Sequence, residues 1–348
     1  MKRNLFTKII GLFVSILFAL SIHGQSADYN QQSRAFYNKA LKNIKASQYQ
    51  QALDALNMAV ELNGSFVKAY IERGKVKLQL NQLDEANIDF IKSLTFNEKS
   101  GEALFGRAYV AFLKNQYDQS LQDFTQAIAN GYNEPMVYYY RGVIRMVKED
   151  YTGANLDFSF AIDKKPDFAY AFHDRAGAKY KLNDLKGAEA DYKKAIEFSP
   201  KFALAFNNIG NVRKDNGDYK GAIEAYSKAI EIDSVYYLAY NNRGNAYYLS
   251  GNRKAAIDDF NKAISLYPDY LSALNNLAVS LAGEERYKEA LETFNKVINL
   301  STEFGAAYIN RGQLKELQGD IDGACSDWKI ADKLGISEAQ TYLKEYQK

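Results

Sequence analysis

The sequence predicts an all-α protein in which one unit, a pair of antiparallel helices, recurs along most of the chain. Three observations predict it. The 348-residue chain resembles itself at a constant spacing of 34 residues, the mark of a stacked repeat architecture. It carries only four prolines, far fewer than the usual share of about 5%. Its 27 Tyr and 20 Phe supply large apolar rings that fall opposite small residues in most periods. Length alone would suggest about two globular domains, and the repeat replaces that reading with a count of units.

Residues 1–26 come first and stand apart. Lys2, Arg3 and Lys8 form a basic head, and Ile9 to Ile22 is an uncharged apolar run of 14 residues. His23 to Ser26 are then small or polar. This order predicts a secretory signal peptide cleaved near residues 24–26. Fourteen residues of helix reach about 21 Å against a hydrocarbon core of about 30 Å, which argues against a membrane span, an uncleaved anchor being the alternative. Cleavage after Gly24 would leave 41 basic against 42 acidic residues, so the mature chain is nearly neutral. The expected address is the periplasm or envelope of a bacterium, with secretion as the further option.

After a short lead-in over 27–32, nine units begin at Ser33, Val67, Gly101, Pro135, Ala169, Ala203, Tyr237, Leu271 and Gly305, and end at Glu338. No residue is inserted or deleted between them. The eighth position of each unit is Gly or Ala, and the twentieth is Ala except at Ser120. Position 24 is large and apolar throughout: Leu56, Phe90, Phe124, Phe158, Tyr192, Tyr226, Phe260, Phe294 and Trp328. Helices can approach closely where side chains are this small, and the large residue fills the space they leave. Apolar residues at helical spacing run from positions 4 to 11 and from 17 to 28, giving two helices per unit. Pro166, Pro200 and Pro268 stand at position 32 and Pro135 opens a unit, so all four mark turns. Residues 339–348, with Tyr342, Leu343 and Tyr346 at helical spacing, predict a helix that caps the last unit.

A large residue at 4, small at 8, aromatic at 17, Ala at 20, aromatic at 24, Ala at 27 and Pro at 32 resembles the tetratricopeptide repeat (TPR). The resemblance covers 306 of 348 residues, with local departures at Arg253 and Val297. It implies a right-handed α-α superhelical solenoid of nine helix pairs. It further implies a non-enzymatic scaffold or adaptor that holds an extended protein or peptide partner in its concave groove.

Position 7 is Arg in six units: Arg73, Arg107, Arg141, Arg175, Arg243 and Arg311. The same six carry Asp at position 23: Asp89, Asp123, Asp157, Asp191, Asp259 and Asp327. Where the Arg is absent (Lys39, Ile209, Leu277), the Asp is absent too (Ala55, Ala225, Thr293). This covariation predicts an ion pair between the two helices of one unit, in the forked geometry that a guanidinium offers a carboxylate.

By the same resemblance, positions 2, 5, 6, 9, 12 and 13 line the groove. In the later units they form a polar row: Asp174, Asn208, Asn242, Asn276 and Asn310 at position 6, with Asn207, Asn241 and Asn275 at position 5. A carboxamide carries both donor and acceptor, so such a row can bond the backbone of an extended peptide whatever its sequence. The alternative is that these residues join neighbouring helices. In earlier units the lining is aromatic: Phe105, Tyr109, Tyr139, Tyr140, Tyr170 and Tyr180. Those rings could anchor a partner's apolar groups, fill the groove, or stack on a cell-wall glycan, the alternative function.

Other chemistries find little support. Two His and one Cys leave too few ligands for a zinc site and no internal disulfide, and no cofactor is expected. His173 reads as a polar lining residue and Cys325 as a buried free thiol. The near-neutral charge argues against a nucleic-acid partner. No carboxylate pair at catalytic spacing emerges, so no enzyme is expected. Self-association remains an open alternative.

Overall fold

The computed structural model describes residues 28–346, all of whose regular elements are α-helices. The predicted signal segment lies outside these residues. The helices fall into two compact bodies meeting at residues 166 and 167. The first holds α1 (28–45), α2 (Tyr49–Leu62), α3 (Val67–Gln79), α4 (Leu83–Phe96), α5 (Gly101–Leu113), α6 (Tyr117–Ala129), α7 (Pro135–Val147) and α8 (Tyr151–Lys164). The second holds α9 (Ala169–Lys181), α10 (Leu185–Phe198), α11 (Ala203–Asp215), α12 (Tyr219–Ile232), α13 (Tyr237–Leu249) and α14 (Arg253–Leu266). It continues through α15 (Leu271–Gly283), α16 (Tyr287–Leu300), α17 (Gly305–Leu317), α18 (Ile321–Lys333) and α19 (Glu338–Tyr346). Within each body, odd and even helices pack as antiparallel pairs, and successive odd helices lie beside one another. The fold is thus a repeated helix hairpin, four pairs in the first body and five in the second, with α19 packed on α18.

The turn inside each hairpin has one backbone solution. Its fifteenth repeat residue takes a left-handed φ in all nine pairs: Ser47, Asn81, Asn115, Glu149, Asn183, Gly217, Gly251, Glu285 and Gly319. Glycine does this without strain, whereas Glu149 and Glu285 hold it at φ 60° and 58°, at a cost of about 1–2 kcal/mol. The following residue caps the second helix. Asp150, Asp184, Asp218 and Asp320 each accept a 2.9 Å bond from the backbone N–H three residues on, at Gly153, Gly187, Gly221 and Gly323.

The small and large positions meet as the sequence predicts. A Cβ built on Gly210 would lie 2.4 Å from the Tyr226 ring, and one on Gly312 would lie 2.4 Å from the Trp328 indole. The rings at position 24 are buried, and Tyr226 also donates a 2.8 Å bond to Asn211. At the C-terminal end Tyr342 and Tyr346 stack on Trp328, with centroids 5.0 and 5.9 Å away. The final helix therefore covers the indole of the last pair.

The six Arg and Asp residues form six bidentate pairs. In each, Nε donates to Oδ2 and Nη2 to Oδ1, at 2.6–2.9 Å. Every one of these aspartates is buried. Two further layers surround them. A cation at position 11 also reaches the aspartate in four repeats: Lys77 to Asp89 at 2.7 Å, Arg145 to Asp157 at 2.9 Å, Lys179 to Asp191 at 2.7 Å and Lys315 to Asp327 at 2.9 Å. The free arm of the guanidinium reaches into the preceding repeat, where Arg73 donates to Asn57 at 3.1 Å, Arg243 to Ser227 at 3.0 Å and Arg311 to Asn295 at 2.6 Å. One guanidinium thus ties three helices.

Candidate functional site

The polar row lies on the first helices of the second body. Position 6 of each repeat donates to position 5 of the repeat before it. Asn242 Nδ2 bonds Asn207 Oδ1, Asn276 bonds Asn241 and Asn310 bonds Asn275, each at 3.0 Å. Within one helix Asn207 Nδ2 then donates to Asn208 Oδ1 at 3.3 Å, and Asn241 to Asn242 at 3.4 Å. The row ends on His173, whose Nε2 lies 3.1 Å from Asn208 Nδ2 and whose Nδ1 lies 2.8 Å from Asp174. Both ring nitrogens are therefore engaged, and an Asn208 donor requires Nε2 to be the unprotonated one.

Burial divides the row. Asn207, Asn241 and Asn275 are only 4, 4 and 8% exposed, so they support the neighbouring amide and do not face a partner. This corrects their assignment to the lining: each helical residue turns by about 100°, and position 5 points at the adjacent first helix. Asn208, Asn242, Asn276 and Asn310 are half-buried and border the open face. Asn276 and Asn310 accept no bond at Oδ1 from the described residues. Both uses of the row therefore coexist, helix joining at one amide edge and open hydrogen-bonding capacity at the other.

The aromatic residues are divided between the two bodies. Phe105, Tyr109, Tyr139 and Tyr140, all half-buried in the first, pack on one another and on Phe124 and Phe158 with centroids 4.8–6.3 Å apart. Neighbouring rings occupy their faces, so they serve first as filling. Burial raises the Tyr140 phenol well above its ordinary range, and the contact with Tyr109 raises it further. In the second body burial, together with the hydrogen bond to Asp215, pushes the Tyr180 phenol up to about 12. Tyr170 is 60% exposed and meets Phe202 edge-on at 5.4 Å. Cys325 is a free thiol, half-buried beside the core rather than within it.

A row of short first helices, joined by amides and backed by second helices through small and large residues, defines a helical-repeat fold. Residues 177–217 and 210–251 match the family described as TPR repeat, and residues 237–270 and 271–304 match tetratricopeptide repeat. Residues 177–304 thus carry tetratricopeptide repeats. Among solved structures it is similar to a tetratricopeptide repeat protein from Parabacteroides merdae (20% identity, 70% of this chain and 98% of that one, TM-score 0.59). It is also similar to the C-terminal part of a TPR repeat-containing protein from Cytophaga hutchinsonii (20% identity, 69% and 99% covered, TM-score 0.55). A chain of the APC/C hetero-tetramer Cut9-Hcn1 is similar over 92% of this chain and 85% of that one, at 14% identity and TM-score 0.55. No curated protein matches the sequence.

Proposed function

We propose that this protein is a non-catalytic scaffold that holds an extended segment of a partner protein against the first helices of its second body. Export through residues 1–26 would place it in a bacterial envelope. The observation that carries the reading is the asparagine row. Asn242, Asn276 and Asn310 recur at the repeat spacing, each fixed by one N–H on the amide before it and each bordering the open face. Fixed amides cost a ligand little ordering entropy, and they can pair with backbone N–H and C=O groups irrespective of the ligand's side chains. The internally packed rings of the first body favour protein binding over stacking on a glycan.

Photo-crosslinking with peptides selected on the full chain from a random library tests this. A crosslinker at Asn245, on the same helix as the row, should trap the peptide, whereas one at exposed Asp258 on α14 should not. Equal trapping at both positions would refute the assignment of the binding face. N-terminal sequencing of protein recovered from cell fractions tests export, with a mature start at residue 25 or 27 expected and an intact Met1 contradicting it.

A further inference from the structure

The sixth repeat lacks the Arg and Asp pair, and the place it would fill is open. Ile209 stands at position 7 and Ala225 at position 23, and a cavity of about 460 Å³ lies above them between α10 and α12, with α11 as its floor. Ile196, Phe206, Ile209 and Ala225 give it an apolar base.

Its position-11 cation has exchanged the partner that sister repeats retain, and its Nη1 donates to the Gly221 carbonyl at 3.1 Å. In four repeats a cation at position 11 grips the buried aspartate of position 23 at 2.7–2.9 Å. The sixth repeat keeps the cation, Arg213, without the aspartate. Arg213 turns instead to Glu189 of α10, at 2.9 Å through Nη2, and Lys193 takes the same oxygen at 3.0 Å. Lys193 is itself a departure, because position 25 of the preceding repeat supplies a hydrogen-bond acceptor to Arg73, Arg141, Arg243 and Arg311. Lys228, paired with Glu231 at 2.7 Å, is the third cation of the lining rim, whose one carboxylate is Glu224, while Glu189 and Glu231 stand beside the same cations.

We propose that this cavity binds an aliphatic monocarboxylate. Its carboxylate takes the place of the missing aspartate among Lys193, Arg213 and Lys228, and its chain lies along Ile196, Phe206, Ile209 and Ala225. The protein's own repeats supply the precedent, since a carboxylate already occupies the equivalent place beside the equivalent cation. The backbone groups of the helices forming the walls are bonded within those helices, leaving no sheet-like edge for a peptide main chain. Glu189, Glu224 and Glu231 border the same rim and restrict the ligand to one negative charge.

Isothermal titration of the full chain with octanoate, and with octanol as the uncharged control, tests the assignment. Octanoate should saturate one site with a dissociation constant on the order of 1 mM, and octanol should bind at least about tenfold more weakly. The double variant Ile209→Arg with Ala225→Asp rebuilds the pair found in six sister repeats, and should lose octanoate binding by about tenfold or more while keeping the helical circular dichroism. Lys193→Gln, on an exposed side chain, should weaken octanoate about threefold or more and leave octanol unchanged. Octanoate binding that survives in the double variant, octanol binding as tightly as octanoate, or no saturable heat up to about 10 mM would each overturn the proposal.

Discussion

The pair formed by Arg243 and Asp259 offers the cleanest measure of what holds a repeat together, because no position-11 cation backs it. The two bonds are 2.7 and 2.8 Å, and the side chains are 19 and 8% exposed. Arg243 lies over the rings of Tyr240 and Tyr247, and its remaining arm donates to Ser227. Asp259→Thr strands a shielded guanidinium, and Arg243→Leu strands a buried carboxylate, each at about 3–5 kcal/mol. The combination Arg243→Leu with Asp259→Thr copies Leu277 and Thr293 of the eighth repeat, so it should cost only about 1 kcal/mol. The coupling energy is then at least about 5 kcal/mol. Urea unfolding followed by circular dichroism and fitted with nearest-neighbour coupling between repeats would measure it. A coupling below about 1 kcal/mol would mean that the pair is worth no more than an exposed one and does not hold the repeat together.

Other perturbations have equally specific outcomes. Gly210→Ala drives a methyl against a Tyr226 ring pinned by its bond to Asn211, and should destabilise by about 1–3 kcal/mol in the same unfolding assay. Glu285→Gly relieves a left-handed φ of 58° that Gly217, Gly251 and Gly319 meet without strain; allowing for the added freedom of the unfolded chain, it should stabilise by about 0.5–1 kcal/mol. Burial pushes the Tyr132 phenol up to about 12, as burial and Asp215 do for Tyr180. Both are neutral in either state below pH 10, and unfolding frees them to ionise near 10, so stability should hold up to pH 10 and fall as pH rises toward 12. Tyrosinate absorbance should show these two lagging the exposed tyrosines, with Tyr180→Phe removing part of the lag.

The sequence made the hairpins legible because their packing must recur. Gly244 can approach Phe260 only if each keeps its size, so a fixed spacing of small and large residues is visible without coordinates. The Arg and Asp pairs were legible for a related reason: a buried charge cannot outlive its partner, and the two vary together. The third cation of the cluster was not, because Lys77, Arg145, Lys179 and Lys315 differ in type and belong to only four repeats. Nor could spacing alone divide the asparagines, since positions 5 and 6 lie on the same half of a helix. Only the neighbouring helix decides that Asn207, Asn241 and Asn275 are covered while Asn242, Asn276 and Asn310 stay accessible. The first-body rings show the same limit: inward positions predicted them, and contact with one another takes up their faces.

Whether the asparagine row grips an extended partner is decided by one affinity measurement. A peptide selected on the full chain is titrated by fluorescence anisotropy against the wild type and against Asn242→Ala, Asn276→Ala and Asn310→Ala combined, with unfolding midpoints recorded in parallel. Three lost amides, each worth about 0.5–1.5 kcal/mol, predict at least about a tenfold loss of affinity in a protein that remains folded. Unchanged affinity in the folded triple variant would show that the row does not grip the peptide and leave it a device for joining helices alone.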